Sequence, residues 1–157
     1  MKIIGKATIH PFYFYTGKIS GYITWILFIF AVLYFPELKF NQTTWLNYFS
    51  YSIFCMGCIF IITSIIFLGK STRLGLPDKK TNFKMSGIYK ISRNPMYIGF
   101  NLLTISSILL TLNIVVTILG FYSIIIYHFI IKNEEKYLLE EFSSEYEKYL
   151  KKVRRYL

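Results

Sequence analysis

The sequence predicts an all-α integral membrane bundle of about four transmembrane helices, ending in an amphipathic helix. Three observations carry this. Four apolar runs are each about long enough to cross a bilayer, at 1.5 Å of rise per residue. The basic residues cluster on one side of those runs. The third and fourth runs are separated by a single polar residue, Asn113.

The runs are 19–35, closed by Pro36, then 46–68, 96–112 and 114–131. Spanning takes about 20 apolar residues, so the first and third sit at the short end and call for some local thinning of the bilayer. Runs three and four form a tight helical hairpin. The 157 residues make one domain. The connection 69–95 is a cytoplasmic loop and 132–157 a cytoplasmic segment.

Composition agrees. The chain is 54% hydrophobic and 20% aromatic, with a mean hydropathy of +0.44. The net charge of +10 would suggest nucleic acid in a soluble domain. Here the basic residues flank apolar runs and suit anionic headgroups, so nucleic acid is not an expected partner. Lys2, Lys6 and Lys18 precede run one, and only Lys39 lies between runs one and two. Lys70, Arg73, Lys79, Lys80, Lys84, Lys90 and Arg93 fill the long loop. Seven more basic residues follow run four, so seventeen of eighteen share one side. By the positive-inside rule that side, with both termini, is cytoplasmic.

Cys55 and Cys58 sit inside an apolar run with no second pair. They read as small packing residues, and no metal is expected. Residues 1–18 lack a small-residue cleavage site, so the first run is read as a retained span. There is no GxGxxG and no phosphate-binding loop.

Two stretches hold the chemistry. The first is Ser86-Gly-Ile-Tyr-Lys-Ile-Ser-Arg-Asn-Pro-Met-Tyr-Ile-Gly99. Asn94 is a favoured N-cap and Pro95 a favoured first helical residue. The free N–H groups of a helix start attract anions, and Arg93 stands immediately before them. The second stretch runs from His128 to Glu135, where the fourth run leaves the membrane. His128 and Glu135 are seven residues apart and share a helix face. Farther on, Ser144-x-x-Glu147 reads as a capping box. It opens a basic helix with Tyr146, Tyr149, Leu150 and Val153 near one side, suited to a headgroup interface.

Together these stretches resemble the isoprenylcysteine carboxyl methyltransferase and phospholipid methyltransferase superfamily. The matching residues are Gly87, Tyr89, Arg93, Asn94, Pro95, Tyr97, Gly99, Glu134, Glu135, Phe142, Tyr146 and Tyr149, within residues 69–157. The resemblance implies a membrane enzyme, here of the short bacterial type, in a bacterial or archaeal cytoplasmic membrane. It implies a cytoplasmic cofactor pocket and transfer of a methyl group from S-adenosyl-L-methionine to a lipophilic or small acceptor. Isoprenylcysteine carboxylates, lipid amines and thiols are the candidates, with membrane lipids as partners. It assigns cofactor binding to Tyr89, Asn94, Pro95, Met96, Tyr97 and Glu134, with backbone contacts from 81–84. Arg93, His128 and Glu135 are the expected catalytic residues. Arg93 or the helix start would hold a carboxylate, Glu134 an ammonium, and His128 or Glu135 a proton from the acceptor.

Two positions depart from the pattern. Asn94 stands where many relatives carry His, and it can donate a hydrogen bond but cannot take a proton. Ile130 stands one turn before the first Glu, where the isoprenylcysteine enzymes resemble one another in carrying Arg. Two other readings compete. A steroid-reductase-like membrane enzyme using NADPH has a similar turn, but here Asn94, Met96 and Phe100 replace its His, Asn and acid. A non-enzymatic scaffold of the same fold is the other.

Overall fold

The structure, a computed structural model, describes residues 7–34, 44–69 and 86–157, and these are all-helical. Helix α1 spans Pro11–Tyr34, α2 Thr44–Leu68, α3 Pro95–Thr111 and α4 Ile114–Lys152, with a 3-10 turn at Gly87–Lys90 before α3. Helices α1, α2 and α4 are long and apolar enough to cross a membrane, while α3 is a shorter apolar helix. The result is the expected helical membrane bundle. Large apolar side chains such as Trp45, Ile62, Ile66, Ile114 and Ile118 point outward, as lipid-facing residues do.

Helix α1 begins well before residue 19. The consequence is that Lys18 is a buried helical residue instead of a flanking charge. The reason lies in the face it presents. Gly17, Ser20, Gly21 and Thr24 are buried together, spaced for one side of a helix. At Gly17 a Cβ would collide with Ile126, and at Gly21 with Ser123 and Tyr127. These small residues let α1 lie close against α4, where apolar burial adds little and close packing decides. Ser20 Oγ donates to the Leu119 carbonyl at 2.6 Å, and Trp25 Nε1 donates to Thr104 Oγ1 at 2.9 Å, tying α1 to α3.

Helix α2 packs on α3 by the same device. Its buried residues are Ser50, Gly57 and Ser64, seven apart. The Gly57 and Gly99 backbones touch, since a Cβ on Gly99 would stand 2.8 Å from the Gly57 carbonyl oxygen. Ser106 Oγ donates to the Ser50 carbonyl at 2.7 Å. The two cysteines of α2 are free thiols.

The hairpin from α3 to α4 is as short as the sequence implies. Leu112 closes α3 in the left-handed region at φ 43°. The Asn113 side chain then caps α4, accepting from the N–H groups of Val115 and Val116 at 2.9 and 3.3 Å.

Helix α4 is apolar over 114–131 and continues in one direction to Ser143, whose φ of 38° makes a kink. The last helical stretch begins there, one residue before the expected cap at Ser144. Its tyrosines face inward: Tyr146 and Tyr149 are buried, and Tyr149 donates to the Tyr89 carbonyl. This stretch packs on the bundle end, where the sequence had suggested a headgroup surface.

Candidate active site

The start of α3 and the polar end of α4 meet, and the segment after α4 closes over both. Arg93 Nε donates to Glu135 Oε1 at 3.0 Å, and Asn94 Nδ2 donates to the same oxygen at 2.9 Å. The second oxygen, Oε2, accepts from Arg155 Nε and Nη2, both at 2.8 Å. Glu135 and Arg93 expose only 7% and 10% of their side chains. Burial alone would push the Glu135 carboxyl up. The hydrogen bonds from Arg93 and Arg155 more than offset this and hold it below the usual carboxylate range.

Asn94 departs from its expected task. It occupies the N-cap of α3, but its side chain makes no cap hydrogen bond. It reaches Glu135 and, at 3.3 Å, the Arg155 carbonyl. The bond from Nδ2 to an ionised acceptor is of the stronger kind, and it sets the orientation of the whole side chain. Arg93 is likewise committed. Besides Glu135 it donates through Nη1 to the Val153 carbonyl at 2.6 Å and the Leu150 carbonyl at 3.4 Å. It thus caps the C-terminal end of α4, a position that favours a cation. Its Nε and Nη1 are both engaged by the protein.

Glu134, the neighbouring acid, faces the other way. Part of the residue remains solvent-accessible, but its carboxyl turns into the bundle and accepts from the Tyr97 hydroxyl at 2.8 Å. Burial pushes it up to about 7, against the opposing pulls of the Tyr97 hydrogen bond and the Lys18 charge. Lys18 is itself buried, with its ammonium 4.0 Å from the centre of the Phe14 ring. Aromatic rings surround this point. Tyr97 lies 5.9 Å from Phe100 and 5.6 Å from Tyr127, centre to centre. Met96, Tyr97 and Phe100 join Phe14, Tyr127, Ile130 and Ile131 in one buried cluster.

The remaining expected residues are placed as follows. Pro95 and Met96 are buried in the first turn of α3. Tyr89 lies in the 3-10 turn, its side chain toward Ser64 of α2. His128 does not reach the acids. Its Nδ1 is 2.8 Å from the Tyr156 hydroxyl. It does share a face with Glu135, as the spacing of seven requires, and the two engage consecutive residues, Tyr156 and Arg155. The expected backbone contacts at 81–84 lie outside the described residues.

The space between the turn and the acids is thus bridged by direct hydrogen bonds. A separate cleft of about 490 Å³ opens between α3 and α4, lined by Asn101, Ile124, Ile125, His128, Phe129 and Tyr156. The Asn101 Oδ1 is buried with no hydrogen-bond partner among the described residues. Also among the described residues, no group of three or more His, Cys, Asp or Glu side chains could hold a metal ion.

Sequence reasoning overlooked Lys18 and Arg155. Lys18 carried a signal, being one charge within a small-residue helical face. Arg155 carried none, because its role depends on a contact across 20 residues and a kink.

The fold and this cluster define a helical membrane protein with paired acids at one end of its bundle, one acid locked by arginines and one set among aromatic rings. The phospholipid methyltransferase family matches residues 45–145, and the chain belongs to that family. It is 29% identical over 132 residues to protein-S-isoprenylcysteine O-methyltransferase B of Arabidopsis thaliana, covering 80% of this chain and 65% of that protein. It is 31% identical over 142 residues to protein-S-isoprenylcysteine O-methyltransferase of Saccharomyces cerevisiae, covering 76% of this chain and 53% of that protein. The chain therefore spans less than two thirds of the length of either relative. No solved structure matches it.

Proposed function

We propose that this protein transfers a methyl group from S-adenosylmethionine to a lipophilic or small acceptor at the membrane. The observation that carries the reading is the Tyr97–Glu134 pair, set among aromatic rings beside the Arg93–Asn94 turn in a chain of this family. When bound, S-adenosylmethionine supplies an activated methyl on a sulfonium, together with an ammonium and a carboxylate. A buried carboxylate flanked by tyrosine and phenylalanine faces suits the cationic groups.

In this reading Glu134 binds the ammonium and Tyr97 orients Glu134. Tyr89, Pro95 and Met96 shape the wall, and the aromatic cluster excludes water. Direct displacement depends on alignment and a dry site more than on acid catalysis. Arg93 and Glu135 hold the turn in position, since their charges are already matched to each other. Asn94 does the same through Glu135. For an amine or thiol acceptor, His128 is the group left to take the proton, with Tyr156 steering its ring; a carboxylate acceptor has no proton to lose.

The acceptor side rests on the cleft between α3 and α4. Its walls are largely aliphatic and aromatic, with His128 and Asn101 as polar groups. This favours a lipophilic acceptor, and the isoprenylcysteine relatives make a prenylcysteine carboxylate one candidate. The clustering of basic residues on one side of the spans supports a cytoplasmic face for the site.

The test is a titration of the purified protein in lipid nanodiscs with S-adenosylmethionine and, separately, with NADPH. Methyl-labelled S-adenosylmethionine is then supplied to membranes with and without the protein. Binding of S-adenosylmethionine and a labelled lipid or thiol product are expected. Binding of NADPH alone would overturn the reading in favour of a reductase.

A further inference from the structure

We propose that Arg155 is a positioning residue: gripping Glu135, it straps the segment after α4 onto the Ser92–Asn94 turn and so sets the geometry of the α3 start. The inference rests on the donor site proposed above.

The Glu135 carboxylate is shared between two elements, one oxygen to each. Oε1 serves the α3 turn through Arg93 and Asn94, and Oε2 serves Arg155 through two N–H groups. The backbones follow. Residues 92 and 154 form an isolated parallel bridge, with the Arg93 N–H donating to the Arg154 carbonyl at 2.9 Å. Ser92 Oγ donates to the Arg155 carbonyl at 3.1 Å. The next residue, Tyr156, meets His128. The strap thus touches both the donor turn and the α3–α4 cleft.

Arg155 acts through Glu135, the carboxylate that both of its side-chain contacts reach. Without it, one buried oxygen of Glu135 loses both donors, and the carboxylate that holds Asn94 is anchored from one side only. Tyr97 lies three residues beyond Asn94, one turn along the same helix. A shift at the turn is therefore passed to the hydroxyl that orients Glu134. Lysine cannot replace the fork, because an ammonium is a point charge without the planar pair of N–H groups.

The test uses the full chain in nanodiscs, as wild type, Arg155→Gln and Arg155→Lys. Without ligand, hydrogen exchange is followed at the Arg93 amide, which reports the strap directly. S-adenosylmethionine affinity and the KM and kcat of methyl transfer are then measured. Arg155→Gln is expected to speed Arg93 exchange and to raise the donor Kd and KM about tenfold, as for a lost charge-assisted hydrogen bond. The kcat at saturating donor should change less than twofold, and Arg155→Lys should recover part of the loss. If Arg155→Gln does not fold, the lysine variant carries the same comparison. Unchanged Arg93 exchange overturns the strap. Faster exchange with an unchanged donor Kd overturns the positioning role. A wild-type chain that binds no S-adenosylmethionine overturns the donor reading and the positioning role with it, while the exchange result still decides whether the strap exists.

Discussion

Arg93 and Glu135, 42 residues apart in sequence, meet at 3.0 Å with almost all of both side chains withdrawn from solvent. A buried pair of this kind contributes little over an apolar replacement of both partners, but losing one partner strands the other. Glu135→Ala is therefore expected to destabilise the protein by about 3–5 kcal/mol, read as a fall in midpoint on thermal unfolding in detergent. The Glu135 carboxyl is held below its ordinary range. Its stabilising contribution is thus complete above the unfolded carboxyl pKa and disappears as pH falls through the lower, folded value. The gap between wild type and Glu135→Ala should close in that acid window. A gap that stays constant with pH would rule out the ion pair as its source.

Glu134→Gln should behave in the opposite way. The carboxyl sits at about 7 in the folded chain, above its unfolded value, so its ionised form opposes folding as pH rises through 7. At pH 8 the glutamine variant should melt no lower than wild type, yet lose S-adenosylmethionine binding. Retained affinity on isothermal titration would remove Glu134 from the site.

The same group sets a pH dependence for ligand binding. A cation pairs with ionised Glu134, so below about pH 7 binding must first expel a proton. Donor affinity should rise up to about tenfold per pH unit below that point and level off above it. A flat profile between pH 5.5 and 8 would contradict this.

Gly99→Ala tests the α2–α3 contact. The added Cβ would meet Ile61 at 2.6 Å and the Gly57 carbonyl oxygen at 2.8 Å. The backbone cannot yield as a side chain does, so a loss of about 1–3 kcal/mol is expected from overpacking. The reading is again the unfolding midpoint, with Cys55→Ser as an exposed control on α2, the other helix of this contact.

Asn113→Ala removes the cap of α4, leaving the Val115 and Val116 N–H groups without their side-chain acceptor. A loss of about 1 kcal/mol is expected, and Asn113→Asp should retain most of the stability.

Much of the fold was legible because hydropathy and charge placement are local properties. The four helices and the short hairpin at Asn113 follow from runs and spacing, whereas the meeting of Asn94, Tyr97, Glu134 and Glu135 was expected only from the resemblance to a known family. The start of α1 was not legible, because the aromatic residues 12–15 and Lys18 look interfacial until α4 packs against Gly17 and Gly21. Nor was the division of labour between the two acids, since Glu134-Glu135 read identically as letters.

The sequence by itself determined that this is a helical membrane protein and where its spans and its polar turn and acids lie along the chain, since spanning lengths and helical periods are set within each segment. Only the tertiary structure decided that Arg93 is committed to Glu135, that Arg155 completes the lock, and that Glu134 alone turns toward the rings. The physical reason is that a carboxylate's partners and burial are decided by side chains arriving from distant parts of the chain.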